Sequence, residues 1–217
     1  MRQYKAVLFD LDGTLTYTLE DLWLSVNYAL NQMDMPERTL EEVRQFVGNG
    51  VEVLMRQAVP ENTTEEDFSR CFACFKTHYV AHCQDHTRLY DGILPLLDAL
   101  KGCGVKMAIV SNKLQAGVDE LYQQYFAQHM TVAIGERDGV GRKPAPGMAL
   151  LAMRELEVQP EECLYVGDSE VDVATARAAG LDCLAVLWGF RSREVLEQAG
   201  ATRFASRPEE VLQFFKV

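Results

Sequence analysis

Alternating strand and helix signals dominate the chain from residue 88 onward. Short apolar runs of strand character recur there: VKMAIVS (105–111), MTVAIG (130–135), CLYVGD (163–168), LDCLAVLW (181–188) and a weaker TRFA (202–205). Segments of helical periodicity separate them, near 92–102, 114–126, 146–157, 170–179, 192–199 and 208–216. Repeated strand, helix, strand units need right-handed crossovers and place helices on both faces of a parallel sheet. The sequence therefore predicts an α/β fold with a doubly wound parallel sheet.

The N-terminal stretch YKAVLFD is another strand of this kind, so residues 1–16 belong with 88–217 in one domain. Residues 17–87 differ, because they contain only helical segments, near 18–34, 39–46, 50–58 and 64–84. A chain of 217 residues is long enough for one core and a modest insertion of this kind. We expect the insertion to sit over the carboxyl ends of the strands, where open α/β sheets bind ligands.

Charge and hydropathy exclude several classes of function. The formal net charge of −11 provides no basic surface for a phosphate backbone, so we expect no nucleic-acid partner. No apolar stretch approaches the ~18 residues of a membrane span, and the N-terminus does not resemble a signal peptide, so we predict a cytoplasmic protein without a membrane partner. The six cysteines lie in predicted helices and strands, which favours reduced thiols. Monomer and dimer both remain open.

Polar residues follow the predicted strands at their carboxyl ends, which all meet at one edge of a parallel sheet. The sites are Asp10 and Asp12 after the first strand, Ser111 and Asn112 after MAIV, Lys143 in the GRKPAP loop, and Gly167, Asp168, Ser169 and Asp172 after CLYV. Such sorting to one end of several strands predicts an active site there.

This set of residues suits phosphoryl transfer. Asp10 can act as the covalent nucleophile, but a carboxylate approaching a phosphate dianion meets strong repulsion that cations must offset. Asp10, Asp168 and a backbone carbonyl near Asp12 offer the hard oxygen ligands that Mg²⁺ prefers. Lys143 supplies a further positive charge. The predicted cofactor is therefore Mg²⁺, and the predicted partner is a small phosphorylated metabolite.

The remaining polar groups have predicted roles around the phosphate. Ser111, Asn112 and the loop amides can donate hydrogen bonds to phosphoryl oxygens. Asp12 lies two residues from the nucleophile, so it can protonate the leaving group and later activate water. Gly13 permits close backbone approach to the ligand.

The chain contains, in order, four segments that resemble the four motifs of the haloacid dehalogenase superfamily: DLDGTLTYT, SNK, KPAP and GDSEVD. The resemblance covers essentially the whole chain. It implies a Rossmann-like core and a helical cap formed by residues 17–87. The first motif of this chain contains two acids, and in this it resembles the first motif of the phosphatase and phosphomutase branch of that superfamily.

The resemblance also implies residue roles. It makes Asp10 the nucleophile, Asp12 the acid and base, and Asp168 a metal ligand, with Ser111 and Lys143 on the phosphate. Ser169 and Asp172 would lie in the second shell of the metal. Gly13 and Thr14 are expected beside the phosphate as well.

Within this branch, three further segments resemble those of the phosphoglycolate phosphatases: VGNGVEVLM (47–55), LYDGI (89–93) and WGF (188–190). One departure is TYTLED, in which Thr16 and Thr18 replace the valine and serine of many relatives and Asp21 is retained. Related cap sequences also occur in pyrophosphatases, nucleotidases and hexose-phosphate mutases.

Each candidate residue also has a purely structural interpretation. Asp10 and Asp12 could be ordinary loop acids, and Lys143 could be a solvated loop residue. Asp168 and Ser169 could form a helix N-cap, and Ser111 and Asn112 could begin a helix. Asp172 could be an acid on a helix surface. Gly48, Asn49 and Gly50 could simply separate two helices, or they could contribute to substrate selection.

Two further motifs favour a structural interpretation. Cys71, Cys74, His78 and His82 would span about 16 Å along one helix, too far to converge on one tetrahedral zinc. They flank the aromatic stripe of Phe68, Phe72, Phe75 and Tyr79, so core packing is the prediction. The GERDGVG segment (135–141) precedes Lys143 and Pro144 rather than opening a helix, which argues against a dinucleotide loop.

The resulting hypothesis is a Mg²⁺-dependent phosphatase of small phosphomonoesters that acts through an aspartyl-phosphate. 2-Phosphoglycolate is the first candidate substrate. The alternatives are a phosphomutase, a pyrophosphatase or nucleotidase of the same superfamily, a phospho-accepting signalling domain, and an inactive binding homologue.

Overall fold

The computed structural model describes residues 4–215, with eight strands and nine α-helices in that part of the chain. The strands are β1 (Ala6–Phe9), β2 (Thr16–Tyr17), β3 (Arg88–Leu89), β4 (Lys106–Leu114), β5 (Val132–Glu136), β6 (Cys163–Gly167), β7 (Asp182–Val186) and β8 (Phe204–Ala205). The helices are α1 (Leu19–Asn31), α2 (Leu40–Phe46), α3 (Val51–Ala58), α4 (Glu65–His82), α5 (Ile93–Gly102), α6 (Gln115–Leu121), α7 (Gly147–Leu156), α8 (Glu170–Ala178) and α9 (Arg193–Gln198).

Six strands form one parallel sheet in the order β5-β4-β1-β6-β7-β8. The chain first builds outward from β1 through β4 to β5, and then returns to the other side of β1 to add β6, β7 and β8. β1 and β6 therefore lie at the point where the direction of winding reverses, which is where open α/β sheets bind ligands. The predicted α/β class with a doubly wound parallel sheet is confirmed.

Successive side chains of each strand point to opposite faces of the sheet, and each face has its own hydrophobic cluster. In β1, Val7 and Phe9 enter one cluster, whereas Ala6 and Leu8 enter the other. The first cluster receives side chains from α5, α6 and the C-terminal 3₁₀ helix, and the second from α7 and α8. Every residue of β1 is buried. A strand that is buried on both faces has a continuous apolar sequence, which is why the segment YKAVLFD predicted β1.

The chain divides into two compact units, Met1–Thr16 with Leu89–Val217, and Tyr17–Arg88. The first contains the six-stranded sheet and is called here the core unit. The second, called the helical unit, contains α1 to α4. The chain passes between them at β2 and β3, which pair as a two-stranded sheet. Their assignment as catalytic core and cap stays a prediction.

Threonine caps and an aromatic stripe organise the helical unit. Thr39 forms a capping box with Glu42 at the start of α2, and the Thr64 hydroxyl accepts the Asp67 N–H at the start of α4. Along α4, the rings of Phe68, Phe72, Phe75 and Tyr79 stack in succession, with centroids 5.4 to 6.3 Å apart. Phe68, Phe75 and Tyr79 are buried, so the prediction of core packing for this stripe is confirmed.

Several element boundaries differ from the predicted ones. β4 continues to Leu114 with an irregular register after Val110, so Ser111 and Asn112 lie within the strand rather than after it. The helix predicted over 114–126 ends at Leu121 and continues as a π-helical turn, Tyr122–Phe126. The C-terminal helix is a 3₁₀ helix, Pro208–Phe214. The prediction for residue 216 lies outside the described residues.

All six cysteines are free thiols. Among the described residues, none of the helices combines the length and apolar character that a membrane span requires.

Candidate active site

Two carboxylates, those of Asp10 and Asp12, lie in a tight turn directly after β1. Asp10 follows the strand directly and is 7% exposed. The turn closes when the Gly13 N–H donates to the Thr16 carbonyl at 2.8 Å and the Thr16 N–H donates to the Leu11 carbonyl at 2.9 Å. Among the described residues, no acceptor lies against the backbone N–H of Leu11 or Asp12. Two unpaired donors beside a carboxylate suit an incoming oxyanion.

Lys143 is the centre of the buried charge network. Its Nζ donates to Asp10 Oδ1 and to Asp172 Oδ1, at 2.7 Å in each case, and the lysine is 4% exposed. A buried ammonium needs such partners, because removing it from water is otherwise costly. The solvated-loop interpretation of Lys143 is therefore wrong.

Asp172 is fully buried at the first turn of α8, so it is not a surface acid. Its Oδ1 accepts from Lys143 and from the Tyr165 hydroxyl at 3.1 Å. Its Oδ2 accepts the Ser169 N–H at 3.1 Å and the Ser169 hydroxyl at 2.6 Å. Each carboxylate oxygen has room for about two donors, so Asp172 is saturated. Its contacts fit the positioning of Lys143 and Ser169 rather than direct binding of a ligand.

Asp168 keeps capacity for a ligand. Its Oδ1 accepts the Thr14 hydroxyl at 3.1 Å and its Oδ2 accepts the Phe190 N–H at 2.7 Å, which leaves one lone pair on each oxygen. One carboxylate oxygen of each of Asp10, Asp168 and Asp172 lies within 4.8 Å of the others, a spacing at which they could hold a metal ion.

Two glycines allow the close approach of backbone to Asp168. Gly13 has φ +91°, and a Cβ built there would lie 2.4 Å from Asp168 Oδ2. A Cβ on Gly189 would lie 2.3 Å from the Asp168 Cβ and 2.5 Å from the Gly13 carbonyl oxygen. Neither position can therefore accept a side chain without a shift of Asp168.

The polar end of β4 holds the neighbouring groups in place. Asn112 donates from Nδ2 to the Lys143 carbonyl at 3.0 Å, and its Oδ1 accepts the Lys143 N–H at 2.8 Å. The Ser111 Oγ accepts the Lys113 N–H at 3.2 Å, and its own O–H has no acceptor within residues 4–215. The Lys113 Nζ lies 3.3 Å from Asp12 Oδ1 and is buried.

Burial and mutual repulsion shift the proton affinities of the cluster. Burial raises the pKa of Asp10 well above its ordinary value; Asp172 adds to this effect and Lys143 opposes it. Burial, assisted by Asp172, raises the pKa of Asp168 to about 7. Burial lowers the pKa of Lys143, but the facing carboxylates of Asp10 and Asp172 outweigh it and leave that pKa well above its ordinary value. Added positive charge would therefore favour the ionised carboxylates.

Three predicted phosphate ligands have other partners. The Gly13 N–H is committed to Thr16, the Thr14 hydroxyl to Asp168, and the Asn112 amide to the Lys143 backbone. These contacts hold the three residues in place, and their roles beside a phosphate stay predictions. Ser169 caps α8, as its structural interpretation predicts, and its hydroxyl donates to Asp172. Its place in the second shell of a metal stays a prediction.

Sequence reasoning missed several groups. Tyr165 sits in the middle of β6, where its apolar neighbours made it look like plain core, yet its hydroxyl reaches Asp172. The Phe190 N–H binds Asp168 through its backbone, which no side-chain pattern reveals. Lys113 was visible in the motif SNK, but its pairing with Asp12 needs the fold.

The remaining candidates belong to the helical unit. Residues 48–50 join α2 to α3, with Gly50 directly before the first residue of α3, which fits their structural interpretation. Their role in substrate selection stays a prediction. Cys71, Cys74, His78 and His82 do not form a four-ligand metal group among the described residues.

Comparison with known proteins identifies the architecture that carries these residues. Residues 7–186 match the family of haloacid dehalogenase-like hydrolases. The chain belongs to this family. Phosphoglycolate phosphatase 1 of Pseudomonas aeruginosa is 35% identical over 202 residues, which cover 90% of this chain and 74% of that protein. The predicted class, a phosphoric monoester hydrolase, is confirmed.

Solved structures agree with the sequence match. A candidate phosphoglycolate phosphatase from Lactobacillus delbrueckii subsp. bulgaricus superposes on this hydrolase with a TM-score of 0.91 at 35% identity, covering 99% of this chain and 100% of that one. A predicted phosphoglycolate phosphatase from Haemophilus somnus gives a TM-score of 0.91 at 28% identity, with 98% of each chain covered.

Proposed function

We propose that this hydrolase is a Mg²⁺-dependent phosphatase that acts through an aspartyl-phosphate on Asp10, with 2-phosphoglycolate as its first candidate substrate. The observation that carries the proposal is the buried Asp10 carboxylate, fixed by the Lys143 ammonium at 2.7 Å. This contact leaves Asp10 Oδ2 without a partner among the described residues, so one oxygen is oriented and the other is available for attack.

The donor set fits Mg²⁺. Four carboxylates, from Asp10, Asp12, Asp168 and Asp172, face two ammonium groups, so the fully ionised cluster carries two negative charges that a divalent cation would neutralise. The ligands are hard oxygens, which Mg²⁺ prefers. Asp10 and Asp168 would hold it, because Asp172 is saturated. A bound Mg²⁺ would supply positive charge against the phosphoryl oxygens.

The first half-reaction transfers the phosphoryl group to the protein. Asp10 Oδ2 attacks phosphorus and forms the acyl-phosphate bond while the bond to the leaving oxygen breaks. Asp12 gives its proton to that oxygen, which leaves as an alcohol. The Ser111 hydroxyl and the N–H groups of Leu11 and Asp12 donate to the phosphoryl oxygens.

The second half-reaction regenerates the carboxylate. Asp12, now ionised, takes a proton from water, and the resulting hydroxide oxygen attacks phosphorus. The acyl-phosphate bond breaks, inorganic phosphate leaves, and Asp10 is restored. The Lys113 Nζ lies 3.3 Å from Asp12 Oδ1, so it positions the Asp12 side chain.

The choice of substrate rests on the relatives, which are named phosphoglycolate phosphatases. Such a substrate is small and carries a carboxylate as well as its phosphate group, which agrees with the predicted class of partner, a small phosphorylated metabolite. A cytoplasmic location stays a prediction.

The test is phosphate release with Mg²⁺ across 2-phosphoglycolate, hexose phosphates, nucleoside monophosphates and pyrophosphate, with Asp10→Asn as the matched control. We expect kcat/KM for phosphoglycolate above about 10⁴ M⁻¹s⁻¹ and well above the other compounds. Full activity in Asp10→Asn would refute the nucleophile, and activity indifferent to chelation would refute the metal. An isomerised sugar phosphate without free phosphate would identify a mutase instead.

A further inference from the structure

A buried guanidinium in the core unit takes part in none of the proposed reaction steps. Arg191 is 7% exposed and lies in the loop between β7 and α9. Its Nε donates to Glu170 Oε2 at 2.8 Å, and its Nη2 lies 3.4 Å from Glu170 Oε1. The fork of the guanidinium therefore faces both oxygens of one carboxylate, an arrangement that fixes orientation as well as distance.

Both members of this ion pair lie next to Asp168 or to one of its contacts. Glu170 is the first residue of α8, directly after Ser169, the residue that follows Asp168. Arg191 directly follows Phe190, whose N–H donates to Asp168 Oδ2 at 2.7 Å. The ion pair, the Phe190 hydrogen bond and two short pieces of chain thus close a ring of contacts that includes the Asp168 carboxylate.

The other end of the same loop is anchored as well. The Trp188 Nε1 donates to the Thr14 carbonyl at 2.9 Å, and the Thr14 hydroxyl donates to Asp168 Oδ1 at 3.1 Å. Gly189 packs so closely that a Cβ there would lie 2.3 Å from the Asp168 Cβ. Residues 188–191 are therefore held at both ends, and the backbone between the anchors contacts Asp168.

Stability alone does not account for a buried ion pair of this kind. Removing a guanidinium from water is costly, and the attraction of its carboxylate partner does little more than offset that cost. A well-packed apolar pair of similar volume is often as stable or more stable. An apolar pair would, however, lack the directional link that fixes the loop on the first turn of α8.

We infer that Glu170 and Arg191 are positioning residues for Asp168 as a metal ligand. Their ion pair holds the Phe190 N–H on one lone pair of Asp168 Oδ2, which directs the remaining lone pairs of the carboxylate toward the cation. The inference rests on the proposed Mg²⁺ site, and neither residue would touch the metal. Removing an outer group that orients a metal ligand typically lowers metal affinity about 10- to 100-fold.

The experiment measures the Mg²⁺ dissociation constant of the full chain from the rise of its melting temperature with Mg²⁺ concentration. We expect Glu170→Gln and Arg191→Met each to raise that constant about tenfold or more. The double variant should bind no more weakly than either single variant, because the two residues act as one pair. Arg191→Lys should resemble Arg191→Met, since lysine keeps the charge but not the planar fork.

An exposed ion pair of the same composition provides matched controls. Arg193 Nη1 lies 3.2 Å from Glu197 Oε1 on α9, and the two side chains are 48% and 50% exposed. Glu197→Gln and Arg193→Met should leave the Mg²⁺ dissociation constant unchanged.

A metal-free readout isolates the positioning step. In chelator, hydrogen exchange of the Phe190 amide, followed by NMR, should be about tenfold faster in Glu170→Gln than in the native chain, because the hydrogen bond to Asp168 opens more often. Glu170 is distant from Phe190 in sequence, so the substitution does not change the intrinsic exchange rate of that amide.

Three results would overturn the inference and leave the proposed metal site intact: native Mg²⁺ affinity in Glu170→Gln and Arg191→Met, native affinity restored by Arg191→Lys, or unchanged exchange of the Phe190 amide. The second of these would show that the charge of Arg191 matters and its fork does not. A native chain without saturable Mg²⁺ binding would overturn the proposed metal site as well.

Discussion

Asn112 holds the backbone of Lys143 through both ends of its side-chain amide, with hydrogen bonds of 3.0 Å to the carbonyl and 2.8 Å from the N–H. The lysine in turn reaches Asp10 and Asp172. An uncharged side chain in β4 therefore fixes where the positive charge of the site lies.

Removing this clamp should impair catalysis without removing any charge. We expect Asn112→Ala to lower kcat about 10- to 100-fold, because a displacement of about 1 Å in a positioning group has that effect. Steady-state kinetics with phosphoglycolate measures it. Asn31→Ala, which removes an exposed amide bonded to Glu37, is the matched control and should keep native kcat. A native kcat in Asn112→Ala would mean that the loop is held by other contacts.

Asp168 is confined by glycine backbone, which predicts opposite effects for two similar substitutions. Gly189→Ala places a Cβ 2.3 Å from the Asp168 Cβ, so we expect a loss of about 1–3 kcal/mol in the free energy of unfolding, together with weaker Mg²⁺ binding. Gly102→Ala in α5 meets no atom within 4 Å and should add up to about 1 kcal/mol, because alanine favours the helix. Denaturant unfolding compares the two. Equal stabilities would show that Asp168 moves freely.

The sheet and the polar edge could be predicted from sequence because they depend on local patterns. Alternating strand and helix signals specify crossovers, and crossovers specify a parallel sheet whose carboxyl ends meet. Asp10, Lys143 and Asp168 were found by this reasoning, since each is a polar residue directly after a strand or in a loop between elements. The resemblance to a known family then supplied their roles.

The remaining contacts could not be predicted, because they depend on three-dimensional proximity. Thr14 and Phe190 both bind Asp168, although 154 and 22 residues separate them from it. Asn112 is a predicted phosphate ligand because its position after MAIV is visible in sequence, whereas its hydrogen bond to the Lys143 carbonyl, 31 residues away, is not. Tyr165 lies in the apolar strand β6 and packs in the core, and only its hydroxyl, which donates to Asp172, takes part in the polar network.

The return of the chain from the helical unit depends on Asp21. Its buried carboxylate accepts the N–H groups of His86 and Thr87, at 2.9 and 2.8 Å, and the Thr87 hydroxyl at 2.8 Å. Asp21→Asn would turn an amide NH₂ toward these donors and leave at least one unsatisfied, so we expect a loss of about 1–3 kcal/mol in stability. Thermal unfolding measures it, with the exposed Asp98→Asn as control, for which a change below about 0.5 kcal/mol is expected. Equal melting temperatures for the two variants would contradict this role.

The raised pKa of Asp168 predicts how the stability of the metal-free protein depends on pH. The folded protein holds this proton up to about pH 7, whereas an unfolded aspartate releases it near 3.8. Folding therefore takes up a proton between these values, and the free energy of unfolding falls as the pH rises through that window, by at most about 1.4 kcal/mol per pH unit. Asp10, whose pKa is also raised, contributes in the same direction.

Denaturant unfolding in chelator at pH 5, 6, 7 and 8 tests this directly. Asp168→Asn should flatten the pH dependence, because its amide does not titrate, even if its absolute stability differs. Saturating Mg²⁺ should reduce the fall toward pH 8, since a bound cation favours the ionised carboxylates. A metal-free protein that becomes more stable from pH 5 to pH 8 would show that Asp168 is already ionised in the folded state, held by more positive charge than Lys143 supplies.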